Sequence, residues 1–158
     1  TFKANHMGHF PKVILSGREI NDSMGAYVAR KVIQLLTANK IDILTSRILI
    51  LGATFKENVA DIRNSKVVDV LKELEAFHVQ AEIVDPHADP HEFEEEYGYT
   101  LSEKPTGRYD ALILAVPHSV YRGQEESYFT SMANDTSVFV DIKGIYRDKI
   151  KSMVYWSL

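Results

Sequence analysis

Four consecutive apolar residues, Ile48, Leu49, Ile50 and Leu51, are closed by Gly52 and followed by a polar loop that runs into a helical pattern from about Ser65. A short apolar run without alternation marks a strand covered on both faces, which requires helices above and below a sheet. The loop carries Lys56, Asp61 and Arg63. Two cations therefore stand between a strand's carboxyl end and a helix's amino end, where open α/β sheets bind anions.

The same alternation continues downstream. Val67, Val68, Val70, Leu71, Leu74 and Phe77 recur at helical steps, and Ala81 to Val84 reads as a second strand stopped by Asp85-Pro86. Residues 87–97 are acidic and poorly apolar, 101–109 are turn-rich, and Ala111 to Val116 is a third apolar strand. Val138 to Ile142, with Asp141 inside, reads as a fourth; a short helix is expected within Ser119 to Met132 and a tail over Ile145 to Leu158. Strands alternating with helices predict an α/β fold, a Rossmann-like parallel sheet with helices on both faces.

Upstream, Ile20, Met24, Tyr27, Val28, Val32 and Leu35 recur at three- and four-residue steps, with Asn21, Asp22 or Ser23 as candidate caps. The expected organisation is a connector remnant over 1–17, a long linking helix over 18–40, and the Rossmann-like domain over 41–158.

Composition narrows the function classes. At 158 residues and 45% hydrophobic content the chain can bury one sizeable core, and no run is long enough to cross a membrane. The amino terminus has no apolar signal segment, so a cytoplasmic address is expected. A net charge of −4 gives no extended basic surface for nucleic acid, so cations must act locally. With no cysteine, the chain has no disulfide, no thiolate metal site and no cysteine nucleophile.

Individual residues carry competing readings. Lys56 could pair with phosphate oxygens while Phe55 offers a ring face to a base; otherwise the pair is a solvated lysine beside a core phenylalanine. Arg63 could hold a phosphate or ribose while Asp61 orients its guanidinium, or form a local ion pair that stiffens the loop. Lys143 follows the last strand, again at a carboxyl end. Arg18, ahead of the long helix, faces an active site or merely solvates a helix start, where a cation opposes the dipole. Ser65 reads as a helix cap. His87 and His91 stand at metal-ligand spacing, but Pro86 and Pro90 break a helix across them, and no metal site is expected. His118, after the third strand's end in AVPHS, is a better site candidate than those two, against a reading as a surface-loop histidine. No G-x-S-x-G elbow marks a nucleophile, and no catalytic residue is assigned.

The pattern G-x-x-F-K-x-x-x-x-D-x-R-x-S, carried by Gly52, Phe55, Lys56, Asp61, Arg63 and Ser65, closely resembles the carboxyl-terminal domain of the UDP-glucose/GDP-mannose dehydrogenase family. GREIND (Gly17 to Asp22), IVDP (Ile83 to Pro86), ALILAV, VDIKG (Val140 to Gly144) and the final YWSL resemble members that oxidise UDP-N-acetylhexosamines. The resemblance implies a UDP-sugar-binding domain of an NAD-dependent 6-dehydrogenase, with Phe55, Lys56, Lys143 and Arg18 on the substrate side and Arg63 toward NAD. It also implies a homodimer built through the long helix. Family enzymes use a cysteine and a G-x-G-x-x-G fingerprint; this chain has neither, so alone it is expected to be inactive, with NAD bound mainly by an amino-terminal domain. The alternative is a Rossmann-like dimerisation module that binds no nucleotide.

Overall fold

The computed structural model describes residues 12–158, with side chains described from Ser23 onward. Helix α1 spans Lys12–Ala38, and strand β1 spans Ile48–Leu51. Then come α2 (Val67–Ala76), β2 (Ala81–Val84), α3 (Pro90–Tyr97), β3 (Tyr109–Leu114), α4 (Glu126–Thr130), β4 (Ala133–Asp141) and β5 (Val154–Ser157). The five strands form one sheet in the order β2-β1-β3-β4-β5, every pair parallel. The chain winds one way from β1 to β2 and the other from β3 onward, so the order reverses between β1 and β3. That reversal opens a crevice at the carboxyl ends of the two strands.

Both faces of the sheet are covered, as the unbroken apolar run predicted. Ile48 and Ile50 point into one core with Val28, Val32 and Leu36 of α1 and Val68, Leu71 and Leu74 of α2. Leu49 and Leu51 point into the other, where Phe129 of α4 meets the rings of Phe139 and Tyr146 edge-on at 4.8 and 4.9 Å. Edge-to-face pairs of this kind add to the area they bury. Among the described residues no helix is long and apolar enough to cross a membrane.

Several expectations need correction. The long helix begins at Lys12 rather than residue 18, so Lys12 to Gly17 is helix and not connector; residues 1–11 lie outside the described residues. Asn21, Asp22 and Ser23 sit inside that helix, not at its start. The third strand runs Tyr109–Leu114, two residues earlier than the apolar run, because Tyr109 pairs with Ala133 across an irregularity in register. The expected tail holds a fifth strand, with Val154 to Ser157 pairing against Val138 to Asp141. The acidic segment holds α3, which Asp89 caps at 3.0 Å from the Glu92 amide, with Pro90 in its first turn and Gly98 left-handed at its end.

Candidate functional site

Leu51 and Leu114 end side by side at the reversal point, and the two chains leave in contact. Gly52 has a positive φ of 90°, and a β-carbon there would stand 2.6 Å from the Val116 carbonyl oxygen. Only a residue without a side chain permits that approach. From this point the loop 53–66 crosses the crevice toward the start of α2.

That loop is held from beneath. Asp85, immediately after β2, accepts the amides of Ala53 (2.5 Å) and Thr54 (3.1 Å) on Oδ2 and those of His87 (2.7 Å) and Ala88 (2.9 Å) on Oδ1. His118, after β3, donates from Nε2 to Asp85 Oδ2 at 2.9 Å and accepts the Asn58 amide on Nδ1 at 2.9 Å. Both side chains are fully buried. Burial pushes the Asp85 carboxyl up, but His118 and the backbone amides outweigh it and hold its pKa down at about 2. The surface position expected for His118 is therefore wrong. Its partner lies 33 residues away in sequence, which no local pattern discloses. Ser65 also departs from expectation: its hydroxyl donates to the Ala53 carbonyl at 2.6 Å, tying the loop's two ends together, and Lys66 occupies the cap position of α2.

Above this support the crevice opens as a cleft of about 760 Å³. Phe55, Lys56 and Lys143 all line it, and Val28, Val67 and Val116 contribute to its apolar lining. Phe55 is pinned through its backbone, its amide donating to the Asp61 carbonyl at 2.7 Å, while the residue is 58% exposed. The ring therefore lines the cleft rather than the core, and the core-phenylalanine reading does not hold. Lys143 sits in the turn after β4. Asp141, buried at that strand's end, shapes the turn by accepting the amides of Gly144 (2.9 Å) and Tyr146 (2.7 Å). Asn64 and Lys66, at the amino end of α2, line the same cleft and were not singled out from sequence; their place before a helix on the crevice side was the available signal.

Arg63 is not among the cleft-lining residues. Its side chain is 80% exposed and forks onto Asp61 through Nε (2.9 Å) and Nη2 (2.8 Å). That guanidinium, with the Arg63 amide, holds the Asp61 carboxyl at about 2. Arg18 lies outside the residues whose side chains are described.

The His118–Asp85 pair resembles part of an acid–base triad, but both groups are sealed and Nδ1 is occupied by the Asn58 amide, so neither reaches a ligand. Among the described residues no group of three His, Asp or Glu side chains is placed to hold a metal ion. A smaller cavity of about 470 Å³ lies at the other end of the strands beside Arg47 and Tyr109. There Arg47 already pairs with Glu82 at 3.5 Å and stacks over the Tyr109 ring, so its cation is occupied.

Residues 49–148 match the model of the UDP-glucose/GDP-mannose dehydrogenase family, UDP binding domain. The chain is 38% identical over 144 residues to a UDP-N-acetyl-D-glucosamine 6-dehydrogenase of Pseudomonas aeruginosa, covering 90% of this chain and 34% of that protein. It is 37% identical over 146 residues to Protein CapL of Staphylococcus aureus, covering 92% and 34%. It thus spans about a third of the length of these curated relatives. Its fold is similar to that of an NDP-N-acetyl-D-galactosaminuronic acid dehydrogenase from Methanosarcina mazei, at a TM-score of 0.80 and 19% identity over 90% of this chain and 30% of the other.

Proposed function

The chain belongs to the UDP-glucose/GDP-mannose dehydrogenase family, and from that premise we propose that it is the nucleotide-sugar-binding domain of an NAD-dependent UDP-N-acetylhexosamine, or UDP-glucose, 6-dehydrogenase. In this reading the complete enzyme oxidises the sugar's C6 to a uronic acid in the cytoplasm, for polysaccharide biosynthesis. The observation that carries it is the convergence of Phe55, Lys56 and Lys143 on one cleft at the sheet's reversal point. The Phe55 ring would stack on the base, and the two ammonium groups would pair with the diphosphate. Arg18, which lies within α1 rather than ahead of it, is assigned to the substrate side on the resemblance alone.

The cofactor does not fit this chain's first strand-to-helix turn. In a dinucleotide fold the amides that follow the first strand face a pyrophosphate. Here the amides of Ala53 and Thr54 are both taken by the buried Asp85 carboxylate. Those two amides are therefore not free to hold a pyrophosphate, and we assign the phosphates of UDP to Lys56 and Lys143 instead. We assign NAD to a partner domain outside this chain, with Arg63 reaching toward it from its exposed loop. The chain alone is expected to bind UDP and to reduce no NAD. Binding energy gathered on the nucleotide would orient the distant C6 for reaction on that partner domain.

For assembly we propose a homodimer through α1, whose inner face is committed to the core by Val28, Val32 and Leu36 while Tyr27 stays 51% exposed. The reading is tested by titrating UDP into the chain while following backbone amide resonances. Shifts at Phe55, Lys56 and Lys143 with millimolar UDP, and none with NAD, support it; a silent cleft at that concentration overturns it.

A further inference from the structure

The loop that carries Phe55 and Lys56 is clamped on both sides of its exposed tip. On one side the Ala53 and Thr54 amides end on Asp85; on the other the Asn58 amide ends on His118 Nδ1. The two clamps are one object, because His118 Nε2 donates to the same Asp85 oxygen that takes Ala53 and Thr54. The acceptor role of Nδ1 fixes the tautomer, leaving the proton on Nε2. Thr54 extends the object into the tip: its hydroxyl lies 3.3 Å from His118 Nε2 and donates to the Lys56 carbonyl at 3.0 Å. Asn58, held at a φ of 59°, adds a contact from its side-chain oxygen to the Ser119 amide at 2.8 Å.

A buried hydrogen-bond network around one carboxylate is weak evidence for stability, since apolar residues of similar volume would serve as well or better. What it supplies here is placement. The Phe55 and Lys56 side chains are exposed and, among the described residues, make no hydrogen bond or ion pair, while their backbone is held through the Asp61 carbonyl and the Thr54 hydroxyl between clamps that rise from three strands' ends. Order imposed during folding is not lost again when ligand binds, which is the basis of preorganisation.

We propose that His118 is a positioning residue for the nucleotide: with Asp85 it sets the 54–58 loop so that Phe55 and Lys56 meet UDP in one geometry. This rests on the reading that those two residues hold UDP. Neither His118 nor Asp85 touches the ligand.

The test uses the complete dehydrogenase that carries this domain, with active sites titrated, and reads the inhibition constant of UDP, KM for the UDP-sugar and KM for NAD. His118→Gln keeps the donor to Asp85 but loses the acceptor for Asn58; His118→Asn keeps that acceptor. His118→Gln is expected to weaken UDP and raise KM for the sugar by about tenfold, the worth of one well-placed hydrogen bond, with KM for NAD unchanged. His118→Asn recovers most of that loss. On a Phe55→Ala/Lys56→Ala background His118→Gln should add less than about twofold, because the contacts it positions are already gone. If Lys56→Ala itself leaves UDP affinity intact, the nucleotide assignment falls and this inference with it. If Lys56→Ala weakens UDP while His118→Gln does not, or adds its full factor on the Phe55→Ala/Lys56→Ala background, the assignment stands and the positioning role is overturned. Should His118→Gln fail to fold, Thr54→Val, which removes only the hydroxyl between the His118 ring and the Lys56 carbonyl, is read by the same outcomes.

Discussion

Gly52 and Val116 meet where β1 and β3 leave the sheet, so closely that a β-carbon on Gly52 would lie 2.6 Å from both Val116 Cβ and its carbonyl oxygen. The positive φ of 90° adds backbone strain for any other residue. Gly52→Ala is therefore expected to cost about 3 kcal/mol or more, read as a lowered urea midpoint with an unchanged slope. A loss below about 0.5 kcal/mol would mean the two exits can separate freely, contrary to a crevice of fixed width.

Gly25 gives a second steric prediction, opposite in sign to the usual rule. In an exposed helix interior Gly→Ala stabilises by roughly 1 kcal/mol. Here α1 crosses α2 at Gly25, and an added β-carbon would meet the Asp69 side chain, its carbonyl carbon at 3.1 Å and the Val70 amide nitrogen at 3.2 Å. Gly25→Ala should destabilise by about 1–3 kcal/mol, since backbone on both sides must move. It should also alter the cleft, which Gly25, Val67 and Val70 line. Chemical denaturation beside a UDP titration checks both.

Asp85 predicts a pH dependence. Its folded pKa, about 2, lies below the ordinary 3.8, so its contribution is fully present above about pH 4 and is lost as pH falls toward 2. The shift corresponds to about 2 kcal/mol. Asp85→Asn should remove that part of the acid limb, leaving a stability profile flatter than the wild type between about pH 4 and 2. It should also lower stability at neutral pH, because one amide oxygen cannot accept what two carboxylate oxygens take. Asp61, also held at about 2, sits half-buried on the exposed loop, where salt screens its pairing with Arg63, so the comparison is made at high ionic strength.

The sequence disclosed most of the fold where local signals agreed. Ile48–Leu51, Val67–Ala76 and Ala81–Val84 were legible because apolar period, length and turn residues pointed the same way. β5 was not, since Val154 to Trp156 are only half-buried and follow a turn-rich stretch with no helix to announce a crossover. α3 was missed for a related reason: it buries only Phe93, so its caps at Asp89 and Gly98 carried the information that hydrophobic period usually carries. At the site, Phe55, Lys56 and Lys143 were readable as loop residues at strands' carboxyl ends, and the fold brings them to one cleft. The support beneath them was not readable. It depends on Asp85, His118 and Asn58 meeting from three separate loops, a coincidence created only by the strand order.

In the proposed function Lys56 and Lys143 grip the diphosphate of a UDP-sugar from this cleft. Calorimetric titration of UDP into the wild type and into Lys56→Ala/Lys143→Ala tests it most directly. Each charge-assisted contact to phosphate is worth about 1.5–3 kcal/mol, so the double variant should bind UDP at least about a hundredfold more weakly while its melting temperature holds. Equal affinity in a folded double variant would contradict the account.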